Sequence, residues 1–320
     1  MGRMSAPFRA ALADALDSPP WILPAVRELR GIVIPAGGEL YGRLAWNLVT
    51  TLRGLGCTLP VEIWHLADEM PEDMAAAFTD AGCRLVDADA TLARLGIRPR
   101  TVEAESGRGR GWWLKSIAVR HTGFAEVLLL DADNVPARDP TYLFNDKAYT
   151  RPGAYFWPDL PPAGNRSEWV PEVAWRNVGL TPVYGARPLE SGQLMVDRRR
   201  HLHALDLCVL LNEWRDHVYQ FVYGDKDCWL LAWHLAGNEY GIPKRNPAYR
   251  HPAICQHDPA GELVFQHCCN GKDDLAAGKV IAGIVSRRFA PDAAASFAEK
   301  RRRVREKKAF AIPPPSGIVK

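Results

Sequence analysis

The sequence predicts an α/β fold with a mostly parallel central sheet flanked by helices, and two observations carry this prediction. From residue 31 to residue 86, short apolar runs alternate with amphipathic segments, which is the pattern of a parallel sheet with covering helices. The later run Val127-Leu-Leu-Leu130 is apolar without alternation, as in a strand that is buried on both faces. A chain of 320 residues is long enough for one large domain of this kind.

Most elements can be assigned in order along the chain. We predict one domain over residues 30–285, between an irregular lead-in (1–29) and a basic helix with a Pro-rich tail (286–320). Strands are predicted over 31–35, 61–66, from 84, and over 127–130, 190–196 and 262–267; helices are predicted over 40–53, 71–81, 112–121, 198–215 and 228–236. Between residues 151 and 188, Pro and Trp alternate with polar residues without a period, which predicts a long functional or mobile loop.

The charge distribution argues against a nucleic-acid partner. The net charge is +3, but residues 299–308 alone carry +5, so the remainder of the chain sums to −2. The body of the protein is therefore not a surface that binds polyanions. The basic run is expected to be a solvated helix that makes peripheral contact with anionic membrane surfaces.

Cysteine usage and hydropathy predict a cytoplasmic protein. The chain has seven cysteines, an odd number without a Cys-x-x-Cys motif, which does not fit a disulfide framework and favours a reducing compartment. No apolar stretch approaches the roughly 18–20 residues of a membrane span. The first thirty residues also lack the apolar core of a signal peptide.

The acidic pair Asp131 and Asp133 directly follows the buried apolar run. Side chains alternate along a strand, so the two carboxylates are expected to point the same way, roughly 6–7 Å apart. Ligands bind at the carboxyl ends of strands in open α/β sheets, and paired carboxylates there would share a hard cation such as Mg²⁺ or Mn²⁺. The alternative is structural, because Asp residues after a strand often cap a turn or helix. Asp89, in the other Asp-Ala-Asp of the chain, is predicted to be such a cap.

Three other segments carry candidate functional residues. The turn Ala36-Gly37-Gly38 could bring backbone amides to a nucleotide, although it lacks the Gly-x-Gly-x-x-Gly pattern. Lys115 could reach a phosphate or Asp131, or be solvated. His267 ends the last predicted strand, which we expect to belong to the same sheet as the acidic pair. It is therefore a plausible third metal ligand, whose nitrogen would favour Mn²⁺ over Mg²⁺.

In the loop over 223–227, Asp227 fits an N-cap for the following helix. Asp225 has less structural reason for its position, and we therefore consider it the stronger functional candidate of the two.

Several motifs resemble those of fungal Mnn-type α-mannosyltransferases, in the same order over residues 30 to about 270, and more distantly those of glycogenin-like glycosyltransferases. They are Gly31-Ile-Val-Ile-Pro-Ala-Gly-Gly38, Leu55-Gly-Cys-Thr-Leu-Pro-Val-Glu-Ile-Trp64, Lys115-Ser-Ile-Ala118, Glu126-Val-Leu-Leu-Leu-Asp-Ala-Asp-Asn-Val-Pro136, Arg138-Asp-Pro-Thr-Tyr-Leu-Phe144, Phe156-Trp-Pro-Asp159, Glu190-Ser-Gly-Gln-Leu-Met-Val-Asp197, Tyr223-Gly-Asp-Lys-Asp227 and Phe265-Gln-His267.

The resemblance implies a GT-A fold, a nucleotide-sugar donor, and sugar transfer with retention at the anomeric carbon. It implies that Mn²⁺ (or Mg²⁺) lies against the donor diphosphate, and that the nucleotide and its sugar have separate binding segments. The implied metal ligands are Asp131, Asp133 and His267; the implied nucleotide contacts are Lys115 and the backbone of Ala36, Gly37 and Gly38; the implied sugar contacts are Glu190 to Gln193 and Gly224 to Asp227.

The acidic residues of these sugar segments are candidates for the chemistry itself. Glu190, Asp225 or Asp227 would polarise the acceptor hydroxyl or stabilise an oxocarbenium-like carbon, and Asp225 ranks first. No strong base is needed if the hydroxyl attacks from the side that the diphosphate leaves. The segment Cys268-Cys-Asn-Gly-Lys272 matches the glycogenin-type His-x-x-Gly pattern only loosely, so a phosphate contact for Lys272 stays open.

The function predicted from the sequence is transfer of mannose from GDP-mannose to a hydroxyl of a glycan or glycolipid. A UDP-hexose donor is the main alternative. A nucleotidylyltransferase would need basic residues in a glycine-rich loop near the start, and none occurs between Ala36 and Arg43. A catalytically inactive sugar-binding protein of the same fold would bind ligand without turnover.

Overall fold

A computed structural model describes residues 4–20, 22, 25–97, 111–160, 170–279, 281–285 and 292–311. Within them, the strands are β1 Glu28–Pro35, β2 Val61–His65, β3 Cys83–Asp87, β4 Phe124–Leu130, β5 Asn134–Pro136, β6 Ala154–Pro158, β7 Leu189–Asp197, β8 Ala248–Arg250, β9 Ala253–His257 and β10 Leu263–His267. The helices are α1 Ala6–Asp17, α2 Gly38–Gly54, α3 Glu72–Asp80, α4 Ala88–Arg94, α5 Leu114–His121, α6 Lys147–Thr150, α7 Glu172–Asn177, α8 Leu202–Glu213, α9 Arg215–Val218, α10 Asp225–Leu235, α11 Lys272–Ala276 and α12 Ala293–Ala311.

The central sheet has the strand order β3-β2-β1-β4-β7-β6. The first four strands in this order run parallel, whereas β7 pairs antiparallel with β4 and β6 antiparallel with β7. The predicted mostly parallel α/β sheet is therefore confirmed. β2 and β3 follow β1 on one side of the sheet, and β4 then pairs with β1 on its other side. The direction in which strands are added therefore reverses between β1 and β4.

A second, antiparallel sheet has the order β5-β10-β9-β8. We expected the last strand, which ends on His267, to belong to the same sheet as the acidic pair, and this expectation is wrong. The short β5 follows the acidic pair directly and pairs with β10, with Asn134 opposite His267. His267 therefore lies close to the end of β4 because β10 pairs with β5, not because it belongs to the central sheet.

The continuous apolar runs of β1 and β4 are explained by cores on both faces of the central sheet. Val33, Val127 and Leu129 join one buried cluster with residues of α5, α8 and α10. The alternate residues of these strands, such as Leu128 and Leu130, join a second cluster with residues of α2 and α3. Because both faces are covered, neither strand shows the alternation typical of a half-exposed strand.

The stretch from 151 to 188 contains regular structure that the sequence did not reveal. Five consecutive residues form β6, all of them buried, and Trp175 is buried in α7. A strand covered on both faces has no alternation to detect, which accounts for the wrong prediction of one long loop. Residues 161–169 lie outside the described residues.

Two other local predictions were wrong by a few residues. Asp87, rather than Asp89, caps α4 by accepting the Ala90 N–H at 3.0 Å, and Asp89 accepts the Ala67 N–H at 3.1 Å. The helix predicted from residue 228 begins at Asp225.

The C-terminal basic helix α12 packs on α2 and α3 and is not merely solvated. Phe297 stacks on Trp46 with ring centroids 4.9 Å apart. The guanidinium of Arg301 reaches Glu39 at 2.7 Å and Asp73 at 2.6 Å, and only 9% of its side chain is exposed. The expected membrane contact of this helix stays a prediction, as does the domain boundary at 285, and the Pro-rich segment lies outside the described residues. Among the helices of the described part, none is both long and apolar enough to cross a bilayer.

We expect Arg301→Ala to lower the free energy of unfolding by about 1–3 kcal/mol, because it leaves Asp73 buried with less compensation. Arg303→Ala is the matched control, since Arg303 is 69% exposed and pairs with Glu299 of its own helix; we expect a change within about 0.5 kcal/mol. Urea unfolding of both variants measures the difference. Equal values for the two would mean that α12 adds no stability through Arg301.

Candidate active site

A pocket of about 520 Å³ opens where the strand order reverses, at the carboxyl ends of β1 and β4. This is the position at which open α/β sheets bind ligands. We call it the switch-point pocket; its lining residues are Pro35, Ala36, Gly37, Tyr41, Glu69, Gly111, Trp112, Leu114, Lys115, Asp131, Ala132, Asp133 and Lys272.

The acidic pair lies in a tight turn between β4 and β5. The Asp131 N–H donates to Gly192 O at 2.8 Å, and the Asn134 N–H donates back to Asp131 O at 2.9 Å. These bonds fix both carboxylates at the wall of the pocket. The imidazole of His267 lies beside them, with Nε2 at 3.2 Å from Asp133 Oδ1 and 3.8 Å from Asp131 Oδ2.

These three side chains fit a divalent cation. One ligand atom from each lies within 4.8 Å of the others, and two carboxylate oxygens with one imidazole nitrogen are a donor set that Mn²⁺ and Mg²⁺ accept. Glu190 Oε1 lies 3.2 Å from the other ring nitrogen of His267, and a carboxylate at this position can orient a metal-binding imidazole.

Gly192 makes room for the His267 ring. A Cβ at this position would lie 2.6 Å from His267 Nδ1. A larger residue would therefore push the imidazole away from Glu190 and the acidic pair.

Two lysines pair with the carboxylates of the site. Lys115 Nζ lies 2.8 Å from Asp131 Oδ2 and 3.3 Å from Asp225 Oδ2, and it donates to Ser191 Oγ at 3.0 Å. Its side chain is buried, so the solvated alternative for Lys115 is wrong. Lys272, at the start of α11, lies 2.8 Å from Asp133 Oδ2.

The pKa values in the site follow from this pairing. Burial would raise the pKa of Asp133, but His267 and Lys272 outweigh burial and lower it. Burial and the charge of Asp133 raise the pKa of Asp131 despite Lys115. Burial would lower the pKa of His267, yet Asp133 and Glu190 raise it well above its ordinary value. The site thus stabilises positive charge at the point where the three candidate ligands meet.

Glu190 and Gln193 lie on β7, beside the acidic turn. Glu190 Oε1 accepts the Gly192 N–H at 2.9 Å, and Gln193 Oε1 accepts from Asn134 Nδ2 at 3.0 Å. Gln193 is completely buried and lies behind the pocket wall rather than on it. Its visible role is to hold the turn that carries Asp131 and Asp133.

The two acids at the start of α10 differ in their surroundings. Asp225 contacts Lys115 and through it the acidic pair. Asp227 Oδ2 instead accepts the Tyr223 N–H of its own chain segment at 2.7 Å, and burial raises the pKa of Asp227 to about 6. The prediction that Asp227 is the N-cap is therefore wrong: the N-cap residue is Gly224 and it has no side-chain cap, while Asp227, inside the first turn, binds the backbone of Tyr223 just before the helix.

The glycine turn contributes less backbone to the pocket than expected. Ala36 and Gly37 line it, but the Ala36 N–H already donates to Trp64 O at 2.8 Å. Gly38 begins α2 with a φ of +69° and is absent from the lining residues. Three residues that line the pocket were not predicted from the sequence: Tyr41, Glu69 and Trp112. They reach the pocket from loops and helix ends, and no local sequence pattern marks such residues.

Comparisons with known proteins agree with this architecture. A family model described as "Mannosyltransferase putative" matches residues 29–174 and 185–253. The alpha-1,2-mannosyltransferase MNN2 of Saccharomyces cerevisiae is 26% identical over 252 residues, covering 66% of this chain and 40% of that protein. MNN21 of Candida albicans, also named an alpha-1,2-mannosyltransferase, is 25% identical over 252 residues, covering 66% and 38%. The chain thus spans about two fifths of the length of these relatives.

The fold is shared with a solved glycosyltransferase. An active-site mutant of LgtC aligns with a TM-score of 0.52 and 12% identity, covering 83% of this chain and 95% of that one. The likeness supports the predicted GT-A fold and nothing finer. The family model, in contrast, covers more than half of the sequence, and the resemblance predicted from the motifs is confirmed. This chain belongs to that mannosyltransferase family.

Proposed function

We propose that this protein is a metal-dependent, retaining glycosyltransferase that moves mannose from GDP-mannose to a hydroxyl of a glycan or glycolipid. The observation that carries the proposal is the convergence of Asp131, Asp133 and His267 on one point, with both aspartates at the wall of the switch-point pocket. Membership of a mannosyltransferase family supports the sugar, and the names of the relatives support an alpha-1,2 linkage. A cytoplasmic location stays part of the proposal.

Asp131, Asp133 and His267 would hold Mn²⁺ or Mg²⁺, with Glu190 keeping the imidazole in its orientation. When bound, the ion supplies positive charge for the oxygens of the leaving diphosphate. Lys115 and Lys272 line the same pocket. Their ammonium groups would bind phosphate oxygens and hold the donor against the acidic turn.

The acceptor hydroxyl would attack from the side that the diphosphate leaves, which requires only a weak base. Asp225 is the first candidate to polarise this hydroxyl or the reacting carbon, because it is buried and linked through Lys115 to Asp131. Glu190 is the second, beside His267. Asp227 ranks last, since its carboxylate is used by the Tyr223 N–H.

Asp133→Asn should remove Mn²⁺ binding while the protein stays folded. For the unchanged protein, Mn²⁺ at about 100 times its Kd adds about 2.7 kcal/mol of stability, seen as a rise in Tm; the variant should show no rise and lose at least about 100-fold in transfer rate. Asp89→Asn is the matched control, because it changes the other Asp-Ala-Asp of the chain. A normal Mn²⁺-dependent Tm in Asp133→Asn would remove this residue from the metal site.

A panel of nucleotide sugars tests the donor. With Mn²⁺ present, we expect release of GDP from GDP-mannose at least tenfold faster than release of UDP from UDP-glucose or UDP-galactose, measured by coupled nucleotide detection. Asp133→Asn is the control that assigns release to this pocket. Faster UDP release would favour the UDP-hexose alternative, pyrophosphate formed from a nucleoside triphosphate would indicate a nucleotidylyltransferase, and binding without release an inactive sugar-binding protein.

Asp227→Asn separates a structural from a catalytic role, because Asn keeps an oxygen that can accept the Tyr223 N–H. The folded-state pKa of Asp227, about 6, lies above its unfolded value. The carboxyl group of Asp227 therefore contributes to the free energy of unfolding below about pH 4, where it is protonated, and this contribution is lost as the pH rises through 6. We therefore expect the free energy of unfolding of the variant, relative to that of the unchanged protein, to rise by up to about 2 kcal/mol between pH 4 and pH 8. Urea unfolding of both proteins at the two pH values measures this change.

The same variant should keep its turnover number within about threefold, whereas Asp225→Asn should lose at least about 100-fold. The reverse order of the two losses would make Asp227 the catalytic acid.

A further inference from the structure

An aromatic pair extends from the switch-point pocket toward solvent. Trp112 lines the pocket, and Tyr223 stacks on it with ring centroids 6.0 Å apart and an interplanar angle of 13°. Tyr223 is 59% exposed. A large aromatic ring at the rim of a polar pocket, held in place yet open to solvent, is a surface on which a ligand can lie.

Gly224 lets this pair form. A Cβ on Gly224 would lie 2.6 Å from the indole of Trp112, so any side chain there would displace the indole. The absence of a side chain at Gly224 thus leaves the indole of Trp112 in the position where it stacks on Tyr223.

An ion pair covers part of the exposed ring. Lys226 Nζ lies over the Tyr223 ring, 4.4 Å from its centroid, and pairs with Asp159, whose side chain is only 12% exposed. Asp159 is anchored next to β7 because its N–H donates to Pro188 O at 2.9 Å. Burial and the nearby charge of Glu190 raise the pKa of Asp159, which agrees with a position close to the acids of the site.

We propose that Tyr223, together with the Lys226–Asp159 pair, forms the subsite for the acceptor sugar; this inference rests on the proposed function. A pyranose ring has an apolar C–H face, which suits the part of the Tyr223 ring that Trp112 and Lys226 leave exposed, and hydroxyls that both donate and accept. Asp159 can accept from one hydroxyl and Lys226 can donate to another. The acceptor class is therefore a pyranoside, and its reactive hydroxyl would point past Trp112 into the switch-point pocket.

Direct binding tests the subsite without turnover. Saturation-transfer NMR with methyl α-mannopyranoside, and with the gluco and galacto analogues, should show contacts to the unchanged protein in the presence of GDP and Mn²⁺. Tyr223→Ala should weaken these contacts about tenfold, and Tyr223→Phe should retain them. Tyr184→Ala, which removes a tyrosine that is 74% exposed, is the matched control and should bind normally.

Equal contacts in Tyr223→Ala and the unchanged protein, or none in the unchanged protein with any of the three glycosides, would overturn the subsite. Kinetics then separate it from the donor site. The expected change in Tyr223→Ala is a higher KM for the glycoside with a nearly unchanged kcat. An equal loss of glycoside transfer and of acceptor-independent GDP release would assign Tyr223 to the donor pocket and overturn the proposal. If no nucleotide sugar turns over at all, the proposed function fails, while the NMR contacts still decide the subsite.

Discussion

The structure at the carboxyl ends of β1 and β4 depends on buried charges that neutralise one another. A buried carboxylate is costly by several kcal/mol unless cations and hydrogen bonds compensate it. Here Lys115 and His267 each contact carboxylates from two different elements, and Lys272 contacts Asp133. The cluster thereby ties α5, β4, β7, α10, β10 and α11 together at one edge of the central sheet. Its members in the described structure are Asp131, Asp133, Glu190, Asp225, Lys115, His267 and Lys272.

The charge count of this cluster favours a divalent ion. Four carboxylates face two ammonium groups and one imidazolium, which leaves one uncompensated negative charge in a buried site. Exchange of the imidazolium proton of His267 for a divalent cation would bring the cluster to neutrality. The same exchange would leave both lysines in place to meet the negative charge of a diphosphate. Under the proposed function, binding of the ion and binding of the diphosphate would therefore support each other.

The sequence was sufficient for the parts of the fold and site that leave a local pattern. Alternating strands and helices predicted the parallel half of the sheet, and the run ending at Asp131 predicted the central strand. The predictions that were wrong concern features that depend on contacts between distant segments. The strand β6 was missed because both its faces are covered and its sequence does not alternate. His267 was assigned to the central sheet, whereas it lies on the second sheet. Lys272 was left open for the same reason, because only the pairing of β10 with β5 brings α11 beside Asp133.

The two Asp-Ala-Asp tripeptides show where such reasoning reaches its limit. Both follow a strand of the parallel half of the sheet, yet Asp87 and Asp89 bind backbone N–H groups, whereas Asp131 and Asp133 face cations. The difference comes from the neighbours. β3 is the edge strand of its sheet, and within the described residues the carboxylates of Asp87 and Asp89 have only backbone N–H partners. β4 lies between β1 and β7, at the reversal of strand order, where other segments must converge. The same tripeptide therefore caps a helix in one place and forms a charge cluster in the other, and topology decides which.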